Sequence, residues 1–264
     1  MRYERNLPFD RYLATDAVSA SSMKAYLRSP LHYRHQLETP SEPTAAQAKG
    51  TLIHAVVLEP IAARERYAIA PDAKRNTKAG KEVWEEFEAI NEGRAIVSQA
   101  DWDMAHAIRD QLLADPEYWR ICPPSGVIEF SAFGNDPDTG LVIKARADYY
   151  SDGLVMDLKS AVDASPHGFA RAIASYKYFL QAAHYLHMFE ADRFVFIAVE
   201  KSPPYAHGIY TLCDASIEQG RIERRRALDG IAEHRERKVW PGYGVQELSL
   251  PNWAFDDEDI EVML

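Results

Sequence analysis

The chain has 264 residues, of which 47% are hydrophobic and 27% charged, with two cysteines and a formal net charge of −10. That length and apolar content suit an ordinary globular core, in one large α/β domain or two small ones, and we expect one domain over 1–264. The N-terminus has no apolar run of signal-peptide length, and no stretch approaches the roughly 20 apolar residues that span a bilayer, so a helical membrane protein is excluded and a soluble, cytoplasmic chain is expected.

Ser19 is suited to cap a short helix from Ala20 to about Arg28, stopped at the Ser29-Pro30 step. A second helix is expected over Leu31–Glu38, then a loop from Pro40 to Pro43. Ala45–Leu58 forms a largely apolar helical pattern with Gly50 and His54 one turn apart, closed by Glu59-Pro60. Residues 71–81 are polar and basic, a loop with Lys74, Arg75, Lys78 and Lys81 exposed. Helical patterns follow at about 79–92 and 99–114. At Val127 the periodicity changes to strands, over Val127–Gly134, Leu141–Tyr150 and Leu154–Lys159. Helices at about 165–174 and 178–190, strands at Phe194–Glu200 and His207–Cys213, and a long helix from Ala215 to about Lys238 complete the pattern. The tail carries Asp256, Asp257, Glu258, Asp259 and Glu261, and without these five charges the balance of −10 becomes −5. Net charge therefore does not exclude a nucleic-acid partner, which needs only a local basic track. The fold expected is α/β (α+β): a mixed central sheet flanked by helices.

Asp152-Gly153 is a two-residue hairpin signal. A hairpin closed there sets Ser151 against Leu154, Tyr150 against Val155, Tyr149 against Met156 and Asp148 against Asp157. The two carboxylates would then have Cβ atoms about 4.5–5.5 Å apart, with Lys159 on the face of Asp157. Their neighbours Ala145, Ala147, Val155, Met156 and Leu158 are apolar. Like charges in such surroundings need a shared proton or a cation, and oxygen donors with an imidazole nearby suit Mg²⁺ or Mn²⁺. The alternative is a solvated hairpin whose acids pair with Lys144, Arg146 and Lys159.

Asp148 followed by Asp157-Leu158-Lys159 resembles the core of the PD-(D/E)xK nuclease superfamily, whose restriction-endonuclease-like fold is the expected architecture in more specific form. Gly50–His54 (GTLIH) resembles the helix by which RecB-like members offer a histidine to the metal. Gln181 to Tyr185 resembles their QxxxY motif, and residues 19–33 resemble their N-terminal helix, which meets the DNA strand. Longer strings, including AKGTLIHAVVLEP, FIAVEKSPPY and the ending WPGYG…LSLPNWA, are similar to the RecE-type family of phage and prophage exonucleases. That likeness covers residues 15–253.

The resemblance implies an exodeoxyribonuclease that digests linear duplex DNA from its ends 5′→3′, leaves 3′ single-stranded tails, works beside a single-strand annealing protein of the RecT type and assembles as a ring. It implies that His54, Asp148 and Asp157 bind the metal, Mg²⁺ with Mn²⁺ as substitute, with the Leu158 carbonyl as a further ligand and two ions as one option. Lys159 would be the catalytic lysine, and Gln181 and Tyr185 would position its strand and the DNA backbone. Glu129 matches a family glutamate near the metals. Asp157 stands where glutamate is commoner. Ser29 stands where many relatives have a cysteine, and Cys122 and Cys213 lack ligand spacing, so no iron–sulfur cluster is expected.

Ser22, Lys24 and Arg28 are further DNA-contact candidates. Arg146, two residues before Asp148, is suited either to a scissile phosphate or to neutralising the acids. His184 and His187 are taken as structural. The arginines from Arg221 to Arg237, interleaved with acids, fit a solvated helix face. An endonucleolytic member of the superfamily, and a silent protein that binds DNA ends, are the competing functions.

Overall fold

The computed structural model describes residues 1–39 and 43–251. Part of the expected 40–43 loop and the acidic tail beyond Pro251 lie outside the described residues. The elements in order are β1 (Arg2–Glu4), α1 (Phe9–Ala14), α2 (Ala20–Arg28), α3 (Pro30–Glu38), α4 (Ala45–Leu58), α5 (Pro60–Arg66) and β2 (Tyr67–Ile69). Then come α6 (Lys78–Ile90), β3 (Ala95–Val97), α7 (Gln99–Ala114), α8 (Pro116–Ile121), β4 (Val127–Asn135), β5 (Val142–Ser151) and β6 (Leu154–Ala161). The remainder is α9 (Pro166–Ser175), α10 (Tyr178–Phe189), β7 (Arg193–Glu200), β8 (His207–Tyr210) and α11 (Asp214–Arg237). Among the described residues no helix is long and apolar enough to cross a membrane.

Local chemistry sets the helix starts. The Ser19 hydroxyl accepts from the Ser22 N–H at the head of α2, and Ser29 accepts from the His32 N–H at the head of α3, where Pro30 fills the first position. At α4, Thr44 and Gln47 exchange side-chain and backbone hydrogen bonds in a capping box. Thr77 caps α6 through the Gly80 N–H, so the helix takes the last four residues of the expected 71–81 loop. Arg75 of that loop is held over the Trp84 ring, 3.6 Å from its centre, and pairs with Glu88.

Among the described residues six strands form one sheet in the order β1-β4-β5-β6-β7-β8, and β2 pairs with β3 separately. Only β6 and β7 run parallel within the large sheet; its other neighbours are antiparallel. The mixed sheet with helices on both faces is the expected architecture. Strand alternation divides the core. Phe194, Phe196 and Ala198 of β7 join Val155 on the side of α2, α9, α10 and α11, whereas Val195, Ile197 and Val199 join Met156 and Leu158 on the side of α4 and α7.

Two readings of charged residues are corrected. The arginine-rich α11 is not simply a solvated face: Arg224 is buried, with its Nε donating to His184, and Arg225 binds Asp136 and Asp138 across the sheet end. His184 is structural as expected, held also by the Lys144 carbonyl, with burial and the Arg224 charge lowering its pKa to about 3. Lys144 pairs with no hairpin acid; its ammonium donates to the Tyr12, Leu13 and Thr15 carbonyls at the end of α1.

Candidate active site

The hairpin closes as its sequence dictates. Asp152 and Gly153 take φ values of 45° and 73°, the two positive angles of the tight hairpin turn, and Ser151–Leu154, Tyr150–Val155 and Tyr149–Met156 are paired. The expected facing of Asp148 and Asp157 does not occur, because the ladder ends at Tyr149–Met156. Both β4 and β5 change face here while keeping register. On β5, Ile143, Ala145 and Ala147 lie with the α10 core but Tyr149 lies with the α4 core; on β4, Ile128 and Phe130 divide in the same way around Glu129. Glu129 sits at φ 52°, a left-handed conformation that costs a residue with a Cβ roughly 1–2 kcal/mol. Strain of this kind is tolerated where a site requires it. Its effect is to turn the Glu129 and Asp148 side chains out of the two core faces into the gap where β5 leaves β6.

That gap explains how residues from opposite layers meet. His54 comes from α4, which lies on β6 so closely that a Cβ on Gly50 would sit 3.5 Å from the Ser160 hydroxyl. The His54 Nδ1 is 3.4 Å from Asp148 Oδ2, and donor atoms of His54, Glu129 and Asp148 all lie within 4.8 Å of one another. One imidazole and two carboxylates at this spacing fit a divalent cation with a preference for oxygen donors. His54 was the member that helix spacing alone could not bring to the acids, and the structure puts it there.

The other named acid is engaged differently. Asp157 is buried; its Oδ2 lies 2.5 Å from the Lys159 ammonium and its Oδ1 accepts from the Gln181 amide at 2.5 Å. The Leu158 N–H donates to Asp148 Oδ2 at 2.7 Å, binding the Asp148 carboxylate to the β6 backbone. Leu158 itself is buried, and its side chain belongs to the α4 core. His54, Glu129, Asp148 and Lys159 line a cleft of about 2220 Å³, larger than the roughly 300–1,000 Å³ of small-molecule pockets and fit for a polymer.

The DNA-contact candidates separate. Lys24, Gln181 and Tyr185 line the cleft, and Arg28 lies outside it. Ser22 lines it too, but it is buried with its hydroxyl against Ser19. Arg146 is committed to the acids: it pairs with Glu129, donates to the Leu7 carbonyl at 2.8 Å and lies over the Phe9 and Tyr12 rings. Tyr185 is buried against Phe189 and Phe194. Tyr178, which no motif marks, faces both Lys24 and Lys159.

The charges act on one another. Burial and the Asp148 charge raise the Glu129 pKa against the pull of Arg146. Burial alone would raise Asp148, but the His54 and Lys159 charges and the Leu158 N–H hold it below the usual carboxylate range. Burial and repulsion from Asp148 raise Asp157 in spite of Lys159, and the two carboxylates hold Lys159 as an ammonium against its burial. Burial also opposes charge on His54, yet the Asp148 charge and hydrogen bond, with Asp157 behind them, lift it to about 9.

A cation must displace that proton, because only neutral imidazole offers a lone pair. Mn²⁺ binding is therefore expected to release close to one proton from His54 at neutral pH, and affinity should rise with pH until about 9. Titration calorimetry in buffers of different protonation enthalpy reads this, and proton-neutral binding would contradict it. In the metal-free protein the sign is opposite. The raised pKa contributes stability fully below the free histidine value of about 6.5, and the contribution fades as pH rises through about 9.

Fold and site together place the chain in the PD-(D/E)xK nuclease superfamily, whose members use divalent metals. The profile of the family described as a PDDEXK-like domain of unknown function (DUF3799) matches residues 19–248. The chain belongs to that family. A comparison with curated protein sequences gave no match. Among solved structures, a presumed exonuclease from Eubacterium rectale aligns over 99% of this chain and 100% of its own, with TM-score 0.64 and 14% identity, a likeness of fold. A phage-related exonuclease from Haemophilus somnus 129PT aligns over 87% of this chain and 100% of its own, with TM-score 0.33 and 12% identity.

Proposed function

We propose that this protein is a Mg²⁺-dependent exodeoxyribonuclease that degrades linear double-stranded DNA. The observation that carries the reading is the meeting of His54, Glu129 and Asp148 on the wall of one large cleft, beside Lys159 and the Asp157 it pairs with. The three clustered side chains would hold the cation, with Asp157 and the Leu158 carbonyl as further donors for one ion or two. The cation, Mg²⁺ or Mn²⁺ in its place, supplies Lewis acidity for phosphodiester hydrolysis. Lys159, kept charged by the carboxylates, donates to a phosphate oxygen as negative charge develops there. Gln181 holds Asp157 so that this ammonium keeps its direction, and Arg146 balances the charge of Glu129.

The RecE-type resemblance extends the proposal to 5′→3′ polarity, 3′ single-stranded products, a ring of identical subunits and a single-strand annealing partner. Linear duplex labelled at one 5′ or one 3′ end, with and without Mg²⁺, tests the activity and its direction together. Loss of the 5′ label as mononucleotide, with covalently closed circles left intact, is the expected result. Cutting of the circle at a comparable rate would make the protein an endonuclease, and survival of every DNA at millimolar Mg²⁺ and Mn²⁺ would end the nuclease reading.

A further inference from the structure

Lys24 and Lys159 come from elements far apart in sequence, α2 and β6, yet both ammonium groups rest against the ring of Tyr178. The distances to the ring centre are 4.9 and 4.8 Å, so the two nitrogens lie within 10 Å of each other. Both line the cleft. Lys159 has its carboxylate. Among the described residues, the polar contact of the Lys24 ammonium is the Gln181 Oε1 at 3.5 Å, the outer limit of a hydrogen bond. The nearby anion, Asp157, is already shared between Lys159 and the Gln181 amide. Lys24 is thus a half-buried cation held at the cleft wall with a weak acceptor and no counter-charge of its own. Its helix is anchored at the start by the Ser19 cap and beside Lys24 by Met23, which is fully buried. Ring faces attract cations but do not neutralise them. An anion reaching the cleft wall can therefore pair with this ammonium directly.

We propose that Lys24 binds a backbone phosphate of the DNA strand next to the one engaged by Lys159, with Tyr178 as the ring that spaces the two amines. The assignment rests on the nuclease reading above and sharpens it: of the three candidates on α2, Lys24 alone combines a place in the cleft with an unsatisfied charge. Burial and the Lys159 charge lower the Lys24 pKa to about 7, and a phosphate beside the amine would raise it and favour the charged form.

The test separates binding from cutting. DNA affinity is measured against salt concentration with Ca²⁺ in place of Mg²⁺. A lysine that neutralises one phosphate contributes a slope of about 0.9 in log K against log salt on duplex and about 0.7 on single strands. Lys24→Met is expected to lower the slope by about that amount, and Lys24→Arg to retain it. Gln181→Ala, which removes the Lys24 acceptor and the Asp157 donor but no positive charge, should leave the slope unchanged whatever it does to the rate of cleavage. An unchanged slope in Lys24→Met, or a loss of the same size in Gln181→Ala, would overturn the proposal in favour of a lysine that merely orients the amide. A second reading uses the unaltered protein: a neutral methylphosphonate beside the scissile position should weaken binding, and equal binding at every substituted position would overturn the proposal even if Lys24→Met failed to fold. Cleavage by a protein whose slope ignores Lys24 refutes this inference and leaves the nuclease reading standing. Absence of any cleavage refutes the nuclease reading itself.

Discussion

Lys159→Ala is expected to lower DNA hydrolysis by about 10²–10³-fold while leaving cation binding in place. The ammonium does two things at once. It faces the cleft, where in the proposed reaction charge would develop on the phosphate, and it holds the buried Asp157 carboxylate from 2.5 Å. Without it, Asp157 keeps the Gln181 amide and the more distant His54 charge against burial and the repulsion of Asp148, the two effects that already raise its pKa, so its pKa rises further and its proton is held more tightly. Asp148→Ala acts elsewhere. It removes the centre of the His54–Glu129–Asp148 cluster and the acceptor of the Leu158 N–H, so activity and cation binding should fall together. Single-turnover cleavage and Mn²⁺ calorimetry on both variants, with melting curves as the control for folding, distinguish the two roles. A well-folded Asp148→Ala that still binds Mn²⁺ at the wild-type affinity would remove the carboxylate from the metal site.

The distance between motif and geometry shows what a sequence conveys here. Period and punctuation are local, and where they were strong the boundaries follow them: Ala20–Arg28, Ala45–Leu58 and Gln99–Ala114 begin and end where Ser19, Thr44, Ser98 and the following breaks require. The elements without a sequence signal, β1, α1, α5, β2, β3 and α8, are three to seven residues long. At that length neither helical nor strand period completes enough repeats to stand out. The hairpin register was likewise legible from Asp152-Gly153, but extending it one pair too far set Asp148 against Asp157. Nothing in the local pattern of β4 announces that Glu129 takes a left-handed backbone, since glutamate has no preference for it. The face change at Glu129 and Asp148 comes from what packs above and below the sheet, and that is tertiary information. For the same reason Glu129, expected in the site with its role as a direct ligand left open, stands with His54 and Asp148 in the cluster, while Asp157 is drawn toward Lys159 and Gln181.

Tyr178 was invisible for a different reason. An aromatic residue at the start of a helix is ordinary, and its relation to Lys24 and Lys159 exists only once α2 and β6 have been brought to α10. The helix that carries Gln181, Tyr185 and Tyr178 therefore has to be placed accurately, and its placement depends on one small residue. A Cβ on Gly220 of α11 would lie 2.3 Å from the Phe179 carbonyl oxygen and 2.8 Å from the Ala183 Cβ, both on α10. The first obstacle is backbone, so a rotamer change cannot relieve it. Gly220→Ala is expected to push α11 from α10 and to cost about 1–3 kcal/mol, as overpacking of a close interface does, with the melting temperature lowered by about 2–4 °C per kcal/mol. Phe179 and Ala183 flank Gln181 on the chain, so the displaced helix also loosens the Gln181–Asp157 hydrogen bond and with it the direction of Lys159. Cleavage should fall more than DNA binding. Gly242→Ala, where the added methyl would meet Leu31 at an ordinary 3.8 Å, is the matched control and should melt with the wild type. If Gly220→Ala melts there too, the contact between α10 and α11 does not set the position of α10, and Gln181 must be held by the packing of α10 on β6 alone.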